Sequence, residues 1–308
     1  MTKKFTLKEL RRLVKRDRFL ILLVAPALVY YAVFCYIPMY GVQIAFRNYA
    51  PAGGFTGSAF VGLRWFREFF ASVFALRVIR NTVVVSLLSL CFGFTIPIIY
   101  ALILNEARNR HFKRFVQTAS YLPHFISAVI IVGILMNLFA TNDGIVNIML
   151  KNVFGSGNIN FMGSAEWFRT MFVGSNVWQN FGYNSIIYLA AIAAVDPQLY
   201  EAATLDGAGR MRQITNITIP GIAPTIIIVL ILALGNIMNV GYEKIILMYS
   251  PATYETSDVI STYVYRRGIV NGEYSFAAAV GLFNSAINCA FLLIFNKISA
   301  KATEISLF

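Results

Sequence analysis

The chain has 308 residues, of which 58% are hydrophobic and 13% charged, and it carries a net charge of +12. A soluble protein of this length holds about a quarter charged residues, so a soluble globular domain is excluded. The positive charge is concentrated ahead of the first apolar stretch, which is a membrane-topology pattern and not a nucleic-acid surface.

Residues 1–18 contain Lys3, Lys4, Lys8, Arg11, Arg12, Lys15, Arg16 and Arg18. Phe5, Leu10, Leu13 and Val14 fall on one face of a basic helix that could lie along the membrane surface. A topology signal with no other task explains the block equally well. Beyond it, six stretches hold no Asp, Glu, Lys or Arg: 19–46, 81–105, 115–142, 170–195, 213–242 and 274–296. The shortest has 23 residues, and about 20 apolar residues cross a bilayer core as a helix. A charge at the centre of such a helix costs on the order of 3 kcal/mol, which keeps the stretches clean. A soluble helical protein would instead place charges on the outer face of each helix. The expectation is an all-α polytopic membrane protein with six transmembrane helices.

The first stretch is far longer than the core of a signal peptide, and no small-residue cleavage site follows it. An even number of spans puts both termini on one side. That side holds 16 Lys and Arg and the other holds 10, so the chain is predicted N-in and C-in. Three units follow: a basic cytoplasmic segment 1–18, a transmembrane domain 19–297 and a cytoplasmic tail 298–308. Cys35, Cys91 and Cys289 lie inside different spans and are expected as buried, inert thiols. Outside, the connections near 47–76 and 143–169 are turn-rich, with "PAGGFTG" and "FGSGN". The third, 243–273, carries Tyr254, Glu255, Asp258, Tyr263 and Arg266, residue types favoured at interfaces.

The loop after the fourth span, 196–219, has helix punctuation. Asp196 can cap a helix with Pro197 at its first position. The Asp206-Gly207 pair marks a break at which Gly207 takes a positive φ. A second short helix is predicted from Ala208 to about Ile217, with Arg210 and Arg212 exposed, and Pro220 then starts the fifth span. Connecting two spans does not require such a loop, so a docking element is expected. Ala202 and Ala203 are small enough for close approach to a groove, and Glu201 offers a charge to a partner. Alternatively, Glu201 and Arg210 form a surface pair worth under about 1 kcal/mol.

At these residues the chain resembles a known family. Glu201-Ala202-Ala203, three residues, Gly207, nine residues and Ile217-x-Ile219-Pro220 match the "EAA" loop of ABC importer permeases. "IPMYGVQIAFRNY", "RNTVVVSLLSL" and "YLPHFIS" are similar to the maltose-type carbohydrate permeases, in the branch that imports alginate and other complex saccharides. Met211 stands where that branch has an aromatic, and Ile219 where it has Leu. The resemblance implies the type I ABC importer (MetI-like) permease fold in a bacterial plasma membrane. It implies that Glu201, Ala202, Ala203, Asp206, Gly207, Gly209, Arg210 and Pro220 couple the chain to a cytoplasmic ATPase. It also implies a second homologous permease, two ATP-binding subunits that hold ATP and Mg, and an extracellular solute-binding protein. The chain itself has no Gly-x-x-x-x-Gly-Lys-Ser/Thr loop, so no cofactor is expected in it.

The spans carry the polar residues that a pathway would use. Asn180, Tyr183 and Asn184 fall in the fourth, Asn236 and Asn239 in the fifth, and Asn284 and Asn288 in the sixth, the last two at i,i+4. Neutral amides and aromatic rings suit a hydroxyl-rich substrate. The competing role is interhelical hydrogen bonding, worth roughly 0.6 kcal/mol each. His124 beside Pro123 is expected at a helix boundary, since no intramembrane carboxylate exists to relay protons with it. The same absence argues against a secondary transporter. An importer of non-sugar cargo remains an alternative, and an intramembrane enzyme lacks its Ser/Lys, His/Asp or metal-ligand set.

Overall fold

The computed structural model describes residues 16–155, 157–303 and 306–307. The expectations for the basic segment therefore lie largely outside the described residues. The described chain is helical, and its one β feature is an isolated antiparallel bridge between Arg47 and Phe60.

The first helix, α1 (Arg18–Phe46), runs unbroken but tightens from a π turn at Ala32–Tyr36 into a 3₁₀ segment at Tyr40–Phe46. Its apolar side chains stand exposed along most of its length, and its 3₁₀ end packs on the last helix. A short helix, α2 (Arg64–Ala71), leads into α3 (Ala75–Asn105). Then come α4 (Arg110–Tyr121), α5 (Ala128–Leu138), α6 (Ile145–Phe154) and α7 (Ala165–Ala193). The loop 196–219 holds α8 (Pro197–Leu205) and leads into α9 (Arg210–Leu234). Three short helices, α10 (Tyr242–Met248), α11 (Tyr254–Ser257) and α12 (Ile260–Tyr265), precede α13 (Tyr274–Thr303).

Among the described residues, four helices are long and apolar enough to cross a membrane: α1, α3, α9 and α13. The third charge-free stretch is not one straight span. Its helix stops at Tyr121, passes through a 3₁₀ turn at Leu122–Phe125 and restarts as α5, bent by 102°. Pro123 withholds a backbone donor there, Ile126 and Ser127 are extended, and the Ser127 hydroxyl caps the new helix at Ile130. The fourth stretch forms α7, whose 29 residues give it about 43 Å of length at 1.5 Å per residue. It is more polar than the other long helices because one of its faces lines a cavity.

α3 and α7 pack along most of their length and form the axis of the fold. At one end, Tyr188 of α7 is buried with Ala101 of α3 and Ile222 of α9. At the other, Phe168 and Phe172 of α7 meet Val85 of α3, Ile245 of α10 and Val259. A third cluster joins α2, α3, α12 and α13 through Phe69, Val78, Tyr263 and Phe276.

Three expectations are corrected. The fifth stretch ends its helix at Leu234, and residues 235–238 form turns, so Asn236 and Asn239 lie beyond the helix. Cys35, Cys91 and Cys289 are exposed, not buried; they sit on outward faces of α1, α3 and α13, where a small apolar side chain suits lipid or another chain. In the 243–273 connection, Asp258 and Tyr263 are buried and so are not presented to a partner. Asp258 pairs with Arg266 at 2.7 Å and Arg77 at 3.5 Å and also accepts from Thr262, which ties the connection to α3.

Candidate functional site

Two features stand apart from the packed core: the exposed loop between α7 and α9, and a cavity beside α7. In the loop, the Asp196 carboxylate accepts from the Gln198 backbone N–H at 2.9 Å, with Pro197 at the first helical position. α8 ends in a Schellman motif. The Ala208 N–H reaches the Ala203 carbonyl at 2.8 Å and the Gly207 N–H reaches Thr204 at 3.1 Å, with Gly207 at φ +75°. The Gln213 side-chain amide then donates to the Thr204 hydroxyl and the Ala208 carbonyl, tying α9 back to α8.

The predicted second short helix is not separate. Helix runs from Arg210 through a π turn at Ile214–Thr218 into the membrane helix, so Pro220 lies inside α9 and does not begin a new element. Its missing donor falls beside the π turn, where backbone bonding is already shifted. Arg210 does not pair with Glu201; it meets Glu106 at the end of α3, at 3.5 Å. Glu201 forms no ion pair among the described residues. Glu201, Ala202, Asp206 and Gly209 are exposed and Ala203 is half-buried. Leu205 is 90% and Met211 72% exposed.

The cavity has a volume of about 960 Å³ and lies between α3, α7, α9 and the 235–241 turn. Its walls are mainly apolar, with a small set of convergent polar groups, the composition of a binding pocket. Asn180, Tyr183, Asn184, Asn236 and Asn239 all line it. So do Asn176, Ser86 and Ser89, which the sequence reading did not single out. Asn176, Asn180 and Asn184 stand four apart and share one face of α7. The Ser86 and Ser89 hydroxyls are buried without a hydrogen-bond partner. A buried hydroxyl without a partner is unfavourable in apolar surroundings.

His124 braces this wall. Asn180 donates from Nδ2 to the Asn176 carbonyl, so its Oδ1 accepts from His124 Nδ1 at 2.9 Å. The imidazole stacks on the Tyr183 ring, with centroids 3.8 Å apart and planes 5° from parallel. The bend after Tyr121 carries His124 to this position, at a helix boundary as its neighbour Pro123 suggested.

Asn284 and Asn288 do not line the cavity. Both donate to Asn239 Oδ1, at 3.0 and 3.1 Å, while Asn288 Oδ1 accepts from the Met238 N–H at 2.9 Å. They hold the turn that ends α9, and the turn in turn places Asn236 and Asn239 on the cavity wall. Asn288→Leu is expected to lower the melting temperature, because it orphans a buried backbone donor worth about 1–3 kcal/mol. Thermal unfolding of the purified variant measures this, and an unchanged midpoint would contradict the clamp.

Behind the wall stands Lys244 of α10, buried, whose Nζ donates to Asn176 Oδ1 at 3.0 Å and Gln179 Oε1 at 3.3 Å. Because it follows Glu243, the charge that closes the fifth charge-free stretch, it reads from sequence as part of an outer loop. Folding of α10 back onto α5 and α7 brings it behind the cavity wall.

Residues 93–304 match the family model described as binding-protein-dependent transport system inner membrane component. The chain belongs to that family. It is a membrane transport component, not a catalytic one. It is 42% identical to protein LplB of Bacillus subtilis (strain 168), across 96% of this chain and 92% of that protein. The polygalacturonan/rhamnogalacturonan transport system permease protein YteP of the same organism is 40% identical, with coverage of 96% and 93%. Among solved structures, a chain of a bacterial alginate ABC transporter in complex with an alginate pentasaccharide-bound periplasmic protein superposes with a TM-score of 0.87. It is 42% identical and is covered over 99% of its length, by 96% of this chain. The shared fold is the type I importer permease fold, as the EAA loop implied.

Proposed function

We propose that this chain is the permease subunit of an ATP-driven, binding-protein-dependent importer of oligosaccharide or polysaccharide. It forms half of a translocation pathway in the plasma membrane and pairs with a second homologous permease. Two ATP-binding subunits, which hold ATP and Mg²⁺, dock on the loop 196–219, and an extracellular solute-binding protein delivers the cargo. Both termini are cytoplasmic in this reading.

The observation that carries it is the cavity: neutral amides and a tyrosine ring converge on a space of about 960 Å³. Hydroxyl-rich rings match such a wall by hydrogen bonding and stacking. The carbohydrate cargo named for YteP and for the alginate transporter supports the same class. The exposed Leu205 and Met211 beside a Schellman-capped helix support docking of another subunit. Movement of that loop by ATP-driven closure of the docked subunits would bias the chain between inward- and outward-facing states.

Co-purification of the chain with its neighbours, followed by ATPase measurement across a saccharide panel, tests this. Saccharide-stimulated hydrolysis is the expected result, and stimulation by amino acids or phosphate alone would reject the carbohydrate assignment. Within the complex, Asn184→Leu should reduce saccharide transport several-fold while the melting temperature stays unchanged. Asn184 lines the cavity, is exposed and forms no hydrogen bond among the described residues, so its loss removes a contact to cargo and none to the described protein. A lowered melting temperature with normal transport per complex would take Asn184 off the path.

A further inference from the structure

The corner between α3 and α4 concentrates positive charge that the fold leaves unused. Arg108, Arg110, Lys113 and Arg114 are close in sequence and form no ion pair among the described residues. The carboxylate nearest them in sequence, Glu106, is taken by Arg210 at the foot of the 196–219 loop.

α4 divides its residues among three faces. Val116 and Ser120 point inward: the Tyr100 hydroxyl of α3 donates to the Val116 carbonyl at 3.3 Å, and the Ser120 backbone lies against Gly182 of α7. Arg110 and Arg114, at i,i+4, stand exposed on a second face. Phe112 and Phe115 stand 58% and 72% exposed on a third, which Leu122 continues beyond the helix end. On α3, the helix that Tyr100 joins to α4, Ile99 and Ile103 are exposed as well.

These two exposed faces need different surroundings. Water suits the arginines and hydrocarbon suits the phenylalanines, and the boundary of a bilayer supplies both. A guanidinium fork matches phosphate oxygens two at a time, and clustered cations favour headgroups with net negative charge. A soluble subunit would reach the arginines but not the whole apolar stripe. The stripe runs to the level of Gly182, which lies about 16 Å along α7 from its loop end at Ala193.

We propose that the α3–α4 corner binds an anionic phospholipid, with Arg110 and Arg114 on the headgroup phosphate and Phe112 and Phe115 against the acyl chains. Arg108 and Lys113 add to the positive potential around the headgroup. The lipid braces the outer faces of α4, whose far end carries the bend that brings His124 to Asn180.

The test uses the full chain in phosphatidylcholine bilayers, with Phe115→Trp as a local reporter whose fluorescence is taken above that of the unaltered chain. A lipid brominated on its acyl chains quenches a tryptophan that it touches. Brominated phosphatidylglycerol is expected to quench at a several-fold lower mole fraction than brominated phosphatidylcholine. Adding Arg110→Gln and Arg114→Gln should bring the two lipids close together, since each cation near an anionic headgroup is worth about fivefold. The melting temperature should not change, because neither side chain has an ion-pair partner to lose. Lys297→Gln with Lys301→Gln removes the same charge from exposed positions near the end of α13 and should leave the preference intact. Equal quenching by both lipids, or by neither, would overturn the proposal, as would a preference that survives loss of both arginines. If the α13 variant lost as much, net charge alone would attract the lipid and the site would fall. Quenching that disappears once ATP-binding subunits are bound would give the face to a protein and also overturn it.

Discussion

Gly207→Val is expected to abolish transport while the chain still folds and inserts. The effect is conformational, not steric, because a Cβ at this position would meet nothing within 4 Å. Gly207 sits at φ +75°, where an L-residue pays about 1–2 kcal/mol and a β-branched one more. To relieve that strain the chain must leave the left-handed region. The Ala208–Ala203 and Gly207–Thr204 hydrogen bonds that close the Schellman motif are then lost. α8 would swing relative to α9, carrying with it Glu201, Ala202 and the exposed Leu205. The loop lies outside the core clusters, so the fold is spared. Transport and ATPase activity of the reconstituted complex measure the loss, and thermal unfolding checks that stability is kept. Asn tolerates positive φ, so Gly207→Asn should retain most of the activity. A valine variant that transports normally would remove the loop from the coupling machinery.

Gly182→Val should have the opposite signature, loss of the folded protein itself. A Cβ on Gly182 would lie 2.2 Å from the Ser120 carbonyl oxygen and 2.5 Å from its carbon. Those are backbone atoms of α4, so no rotamer change relieves the clash and the two helices must part. Small residues allow this kind of close approach between membrane helices. Even one added methyl costs about 1–3 kcal/mol in a packed interface, and valine adds more. The separation would also break the 2.6 Å bond between the Tyr100 and Ser120 hydroxyls and displace the bend that carries His124 to Asn180. Expression yield and the detergent melting temperature are the readouts. A variant that melts with the wild type would show that α4 and α7 do not pack this closely.

Much of the fold was legible because the bilayer imposes a simple rule on sequence. Charge is costly in hydrocarbon, so clean stretches mark helices wherever they lie, and α1, α3, α9 and α13 follow four of them closely. The backbone of the 196–219 loop was equally legible, because its signals are local. Asp196 caps its own helix, Pro197 occupies the position where its missing donor does no harm, and Gly207 takes the one backbone region that most residues avoid. What the sequence placed wrongly there was continuity: the run from Arg210 into α9 depends on a π turn that no local residue announces.

The candidate site divides along the same line. Amides at helical spacing announced a polar face on α7, and the paired Asn284 and Asn288 announced one on α13. Only packing decided that the first borders a cavity and the second clamps the turn after α9. An asparagine looks the same in both roles, since its amide needs partners in hydrocarbon whether they come from cargo or from protein. The bend after Tyr121 was foreshadowed by Pro123, but its 102° turn and the resulting stack of His124 on Tyr183 required the neighbouring helix. Lys244 was the most hidden, because a charge in sequence reads as the end of a span. The sequence by itself determined where hydrocarbon-compatible helices and the capped turn at Gly207 lie, through single-residue costs that act locally. The tertiary structure decided which polar groups face one another across empty space, because that depends on contacts between residues far apart in the chain.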